Sequence, residues 1–144
     1  MKRGLRWGGL CTLLFILGCR GVRPEEIGLN KYFHFKRCLK VKAGKDVEII
    51  LKREHLKGEY HVILIYSEGL FGKQKRVRME EENSVYRAVI PGGSRKKGDV
   101  VFFWFEVFSK DKLIGRVPDN RALARLLAEG KISWKEMIGR VDYW

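Results

Sequence analysis

Cysteine, proline and histidine are all scarce, at three residues each in a chain of 144. The cysteines are Cys11, Cys19 and Cys38. Cys11 lies inside an apolar N-terminal segment, so a disulfide in the remainder would have to join Cys19 to Cys38, and no framework of paired bridges is expected. The histidines are His34, His55 and His61. No two have a metal-ligand spacing and Cys38 has no cysteine partner nearby, so neither a metal site nor another cofactor is expected. No Gly-x-Ser-x-Gly or Cys/His arrangement announces a nucleophile. The acidic runs Glu25-Glu26 and Glu80-Glu81-Glu82 read as solvated turns, not as two carboxylates held at a fixed separation. No catalytic residue is assigned, and the chain is not read as an enzyme. No apolar run reaches the roughly 20 residues that a spanning helix needs.

What is present is positive charge and apolar strand-forming sequence. Lys and Arg number 30 against 17 Asp and Glu, a formal net charge of +13. Lys2, Arg3 and Arg6 account for part of it, and the rest of the chain stays strongly basic. Such a surface favours anionic partners such as lipid headgroups or acidic glycans, or it simply keeps the protein soluble. Hydrophobic residues make up 45% and aromatics 12%, enough for one domain with a core.

The first nineteen residues read MKRGLRWGGLCTLLFILGC. A basic start precedes an apolar stretch, Leu10 to Leu17, of the length of a signal-peptide core. It closes in Ile16-Leu17-Gly18-Cys19, which resembles the lipobox of bacterial lipoproteins. The resemblance implies cleavage between Gly18 and Cys19 and lipid attachment at Cys19. It therefore implies a membrane partner held through that lipid, at the cell membrane or outer membrane, with the body facing periplasm or exterior. Export removes nucleic acid from the expected partners. Residues 19–31 would be a lipidated tether: Arg20 to Lys31 holds Gly21, Pro24 and Gly28 and shows no period.

From Tyr32 onward the chain alternates. Strands are expected over Tyr32–Val41, Val47–Lys52, Tyr60–Tyr66, Lys75–Met79, Val85–Ile90, Val100–Phe108 and Leu113–Val117. The run Val100-Val101-Phe102-Phe103-Trp104-Phe105-Glu106-Val107-Phe108 is apolar at nearly every place and reads as a strand covered on both faces. About seven short strands with regular turns suggest an antiparallel β-sandwich over residues 32–118. The pattern Val62-x-Leu64-x-Tyr66, Val77-x-Met79, Tyr86-x-Ala88-x-Ile90-Pro91, Gly98-x-Val100-x-Phe102-Phe103-x-Phe105-Glu106 looks like the Ig-like, fibronectin type III-like domains of bacterial exported proteins. That likeness implies a mainly β, Ig-like sandwich and specifies no task. The loop Gly92-Gly93-Ser94-Arg95-Lys96-Lys97 has the freedom and charge of an anion cradle, or is a plain basic hairpin loop.

With Val101, Phe103, Phe105 and Val107 inward, Phe102, Trp104 and Phe108 point away, and Ile63 and Ile65 join them. These five residues form a second apolar face. Residues 119–144 are expected to be a short helical hairpin. Leu123, Leu126 and Leu127 share a face, Gly130 sits at a C-terminal cap, and Ser133-Trp134-Lys135-Glu136 forms a capping box. The segment Leu123-x-x-Leu126-Leu127-x-x-Gly130-x-Ile132-Ser133-x-x-Glu136 also resembles the SHOCT-type hairpin of bacterial membrane-associated proteins. Either this tail covers the second face, or face and tail together dock an envelope protein partner. The reading is thus a membrane-anchored, non-catalytic binding or scaffolding module. The alternative is a carbohydrate-binding sandwich, which would show aromatics in line beside a groove.

Overall fold

The structure is a computed structural model, and it describes residues 28–69, 72–119, 125, 127–130 and 138–144. The lipobox residues Gly18 and Cys19, the rest of the leader and most of the tether lie outside the described residues. Among those described, a short 3-10 turn, Gly28–Lys31, leads into ten strands: β1 (Phe33–His34), β2 (Cys38–Val41), β3 (Val47–Arg53), β4 (His61–Glu68), β5 (Gln74–Arg78), β6 (Glu80–Glu82), β7 (Val85–Ile90), β8 (Val100–Ser109), β9 (Lys112–Val117) and β10 (Gly139–Tyr143). The fold is mainly β. One sheet runs β1-β3-β7-β6; the other runs β2-β10-β8-β4-β5, with β9 also paired to β8.

The two sheets share one core because their strands alternate in phase. Along β8, Val101, Phe103, Phe105 and Val107 are fully buried, opposite Tyr66, Leu64 and Val62 of β4. From the other sheet come Ile49 and Leu51 of β3 and Tyr86 and Ile90 of β7. Each such side chain contributes about 1.5–3 kcal/mol on leaving water. Phe35, at the switch between β1 and β2, packs on β8, edge-on to Phe103 at 5.7 Å and to Phe105 at 4.9 Å.

Three expectations are corrected. The first strand is two: β1 pairs with β3 while β2 pairs with β10, so the chain changes sheets at Phe35-Lys36-Arg37. Glu80-Glu81-Glu82 is not a turn but an edge strand against β7. Its acids tolerate that place because edge strands meet water and favour charge. Glu80 faces Arg87 in register, and Glu81 pairs with Arg53 at 3.2 Å. The turn itself is Asn83-Ser84, both with positive φ (55° and 66°), as a tight two-residue hairpin requires.

The third correction concerns residues 119–144. The expected helical hairpin falls mostly outside the described residues. Within it, Arg125, Leu127 and Ala128 are helical, the Glu129 amide donates to the Arg125 carbonyl at 3.0 Å, and Gly130 has the positive φ of a cap (74°). Gly139–Tyr143, however, is a strand, and not an edge one. β10 sits between β2 and β8, parallel to the first and antiparallel to the second. Its period-two pattern drives this: Gly139, Val141 and Tyr143 are buried, while Arg140 and Asp142 are half-buried on the other face. β9 ends with Val117 opposite Phe105, and β10 begins with Gly139 opposite Phe103. β9 and β10 are therefore two halves of one strand lying along β8, interrupted by residues 118–138.

Candidate functional site

The face of the larger sheet turned away from the core is the candidate site. Register assembles it in rows. Trp104 lies beside Ile65, and Ile65 beside Arg76. Arg116 lies beside Glu106, Glu106 beside Ile63, and Ile63 beside Arg78. Arg140 lies beside Phe102, which lies beside Ser67. Phe108 lies beside His61 at the end of the strand, ring stacked on ring at 5.0 Å.

The five expected residues, Ile63, Ile65, Phe102, Trp104 and Phe108, thus do share one face. Ile65 is not part of its surface: it is only 1% exposed, the floor between two large neighbours. Ile63, Phe102, Trp104 and Phe108 are half-buried. Sequence reasoning missed the arginines around them. The Arg116 guanidinium lies over the Trp104 ring at 5.3 Å and that of Arg140 over Phe102 at 6.0 Å. Cations so placed are attracted by the electron-rich ring faces. Arg76 pairs with Glu106 at 2.5 Å, and the Arg140 Nε donates to Asp142 at 2.8 Å. Burial pushes the Arg116 guanidinium below its usual value, and nearby Glu106 opposes that shift. The alternation Arg76-Val77-Arg78 carried the signal for two of the four. Arg140 was hidden because its segment read as helix.

Other candidate sites resolve differently. In the 91–98 loop the Gly92 amide donates to Asp46 at 2.9 Å, and Arg95, 7% exposed, pairs with Glu68 at 2.7 Å. The Gly92 amide and the Arg95 guanidinium are thus engaged by carboxylates of the same chain, while Ser94, Lys96 and Lys97 stay exposed. Among the histidines, His34 lies 3.7 Å from Glu54. His61 borders an open concavity with Glu59, Arg78 and Glu81, where Glu81 is engaged by Arg53. Cys38 is an exposed free thiol in β2. No group of three His, Cys, Asp or Glu among the described residues could hold a metal ion. No described helix is long and apolar enough to cross a membrane.

No family model matches the chain, and no curated protein matches it. One solved structure, described as "Crystal structure of Br derivative BhCBM56", aligns with 57% of this chain and 82% of its own, at 19% identity and a TM-score of 0.43.

Proposed function

We propose that this chain is a lipid-anchored, non-catalytic binding or scaffolding module of the cell envelope. Its body is an Ig-like β-sandwich, its anchor is the lipid on Cys19, and its partner is an acidic envelope protein docked on the outer face of the larger sheet. The strand order supports the Ig-like reading. β1-β3-β7-β6 corresponds to the A-B-E-D sheet of an immunoglobulin domain, and the β10-β8-β4-β5 run to its G-F-C-C′ sheet. The observation that carries the docking proposal is the layout of the outer face: half-buried Phe102 and Trp104 at the centre, Arg76, Arg78, Arg116 and Arg140 around them. Glu106 and Asp142 lie on the same face, paired with Arg76 and Arg140, so the four arginines leave it net basic. An apolar anchor within a net basic rim is the arrangement that favours an acidic protein surface.

A photo-reactive amino acid at Ile63 or Phe102, in intact cells, tests this. The expected result is one adduct with an acidic protein, weakened by the double variant Arg76→Glu/Arg78→Glu and absent when the probe sits at Val89 on the other sheet. Equal labelling from Val89, or adducts indifferent to the charge reversal, would overturn it. A glycan-binding module is the second reading, favoured by Phe102, Trp104 and Phe108 in line along one strand face. Glycan binding lost in Trp104→Ala but kept in Arg76→Glu would establish it instead.

A further inference from the structure

Two exposed apolar side chains stand next to each other at one end of the molecule. Leu113 is 48% exposed and Ile114 38% exposed, at the start of β9. Alternation normally sends one of two successive strand residues inward. Here a register irregularity between Val107 and Phe108 breaks the pairing, Leu113 lies opposite Phe108, and both residues meet solvent. The hairpin tip carries Lys110 and Lys112 around Asp111. Leu113 and Ile114 border a concavity of about 650 Å³ whose opposite wall is the first described part of the chain: Gly28, Leu29, Lys31 and Tyr32, with Arg116 and Asp119. The chain that arrives there comes from Cys19. The eight residues between Cys19 and Gly28 give a reach of at most roughly 30 Å when extended. The greasy end of the domain is therefore also the end tied closest to the lipid.

We propose that this tip, Leu113 and Ile114 flanked by Lys31, Lys110 and Lys112, rests in the headgroup layer of an anionic bilayer. It holds the domain in one orientation on the membrane, with the 91–98 loop pointing away. The proposal rests on the reading of Cys19 as the lipid attachment site. Apolar side chains entering the interface and lysines beside anionic headgroups act together, and each alone is weak. β8 spans Val100–Ser109, so the 91–98 loop and the tip lie about 30 Å apart, and they should report different surroundings.

The test uses the whole lipidated protein in vesicles of phosphatidylglycerol and phosphatidylethanolamine. A Cys38→Ser background removes the exposed thiol, and an environment-sensitive NBD fluorophore is attached at Ile114→Cys or, as the control, at Gly93→Cys, where an added side chain meets nothing. The mass of the mature amino terminus is measured on the same preparation. Expected is blue-shifted, brighter emission at position 114 only, reduced by Lys110→Glu/Lys112→Glu and by omitting phosphatidylglycerol. Aqueous emission at 114 with Cys19 acylated overturns this proposal and leaves the anchor intact. Unacylated Cys19 overturns the anchor; a persisting shift would then keep the surface contact alone. A shift that appears only after envelope proteins are added assigns the tip to a protein partner and overturns the membrane contact.

Discussion

Gly139 shows how one residue sets the packing of a strand. It lies opposite Phe103, and a Cβ at that place would overlap the Phe103 ring. Phe103 cannot yield easily, because Phe35 and Phe105 pack edge-on against it at 5.7 and 5.9 Å. Gly139→Ala should therefore cost about 1–3 kcal/mol, the usual penalty of overpacking, read as a lowered urea midpoint at unchanged slope. Tyr86 makes a different prediction. It is fully buried, its hydroxyl donates to the Tyr60 carbonyl at 3.2 Å, and burial pushes its pKa from 10.0 up to about 12. The native state thus keeps a proton that the unfolded chain gives up. The contribution to stability is full below pH 10 and is lost as pH rises through that window to about 12. It falls there by up to about 1.4 kcal/mol per pH unit. Urea midpoints measured across the window should fall more steeply for the natural chain than for Tyr86→Phe.

At the level of elements, β10 decides the most. Chain ends usually tolerate trimming because little holds them. This end is paired on both sides and brings Val141 and Tyr143, at 0% and 3% exposure, into the core. Losing their burial alone removes about 3–6 kcal/mol, against a total stability of about 5–15 kcal/mol. A chain stopped after Met137 should lose cooperative unfolding, while one ending at Tyr143 should keep it; circular dichroism through a thermal ramp separates the two. The same element marks the limit of what could be read beforehand. The long strands were legible because Val47–Lys52, Val85–Ile90 and Val100–Phe108 alternate over enough residues to outweigh any rival period. Gly139–Tyr143 offers two charged residues and a glycine in five, a pattern that only a partner strand on each side makes favourable. Glu80–Glu82 was illegible for a related reason: its strand character comes from β7, not from its own side chains.

The apolar half of the candidate site was legible for the same reason as β8: alternation puts Phe102 and Trp104 opposite to Phe103 and Phe105. Its basic half was legible only in the alternation of Arg76 and Arg78, since Arg116 and Arg140 reach the face only because β9 and β10 continue one another along β8. At the scale of the whole molecule, the proposed membrane attachment has two candidate causes. Without Lys2, Arg3 and Arg6, which leave with the proposed leader, 27 Lys and Arg stand against 17 Asp and Glu, and a net charge of +10 is itself able to bind an anionic surface without any lipid. The two attachments differ in their response to salt. Charge attraction fades once the screening length drops to about 3 Å near 1 M salt. Acyl chains are indifferent to it, at ~0.8 kcal/mol for every buried CH₂. Membranes from cells making the natural chain should therefore keep the protein through a 1 M salt wash and release it to detergent. Cys19→Ser removes the thiol that would carry the lipid. It should yield a species that retains the leader, its mass higher by residues 1–18, with no lipid on position 19. The same leader-bearing species should accumulate when globomycin blocks the lipoprotein signal peptidase. Release of the natural protein by salt alone would mean that its basic surface, and not Cys19, is the anchor.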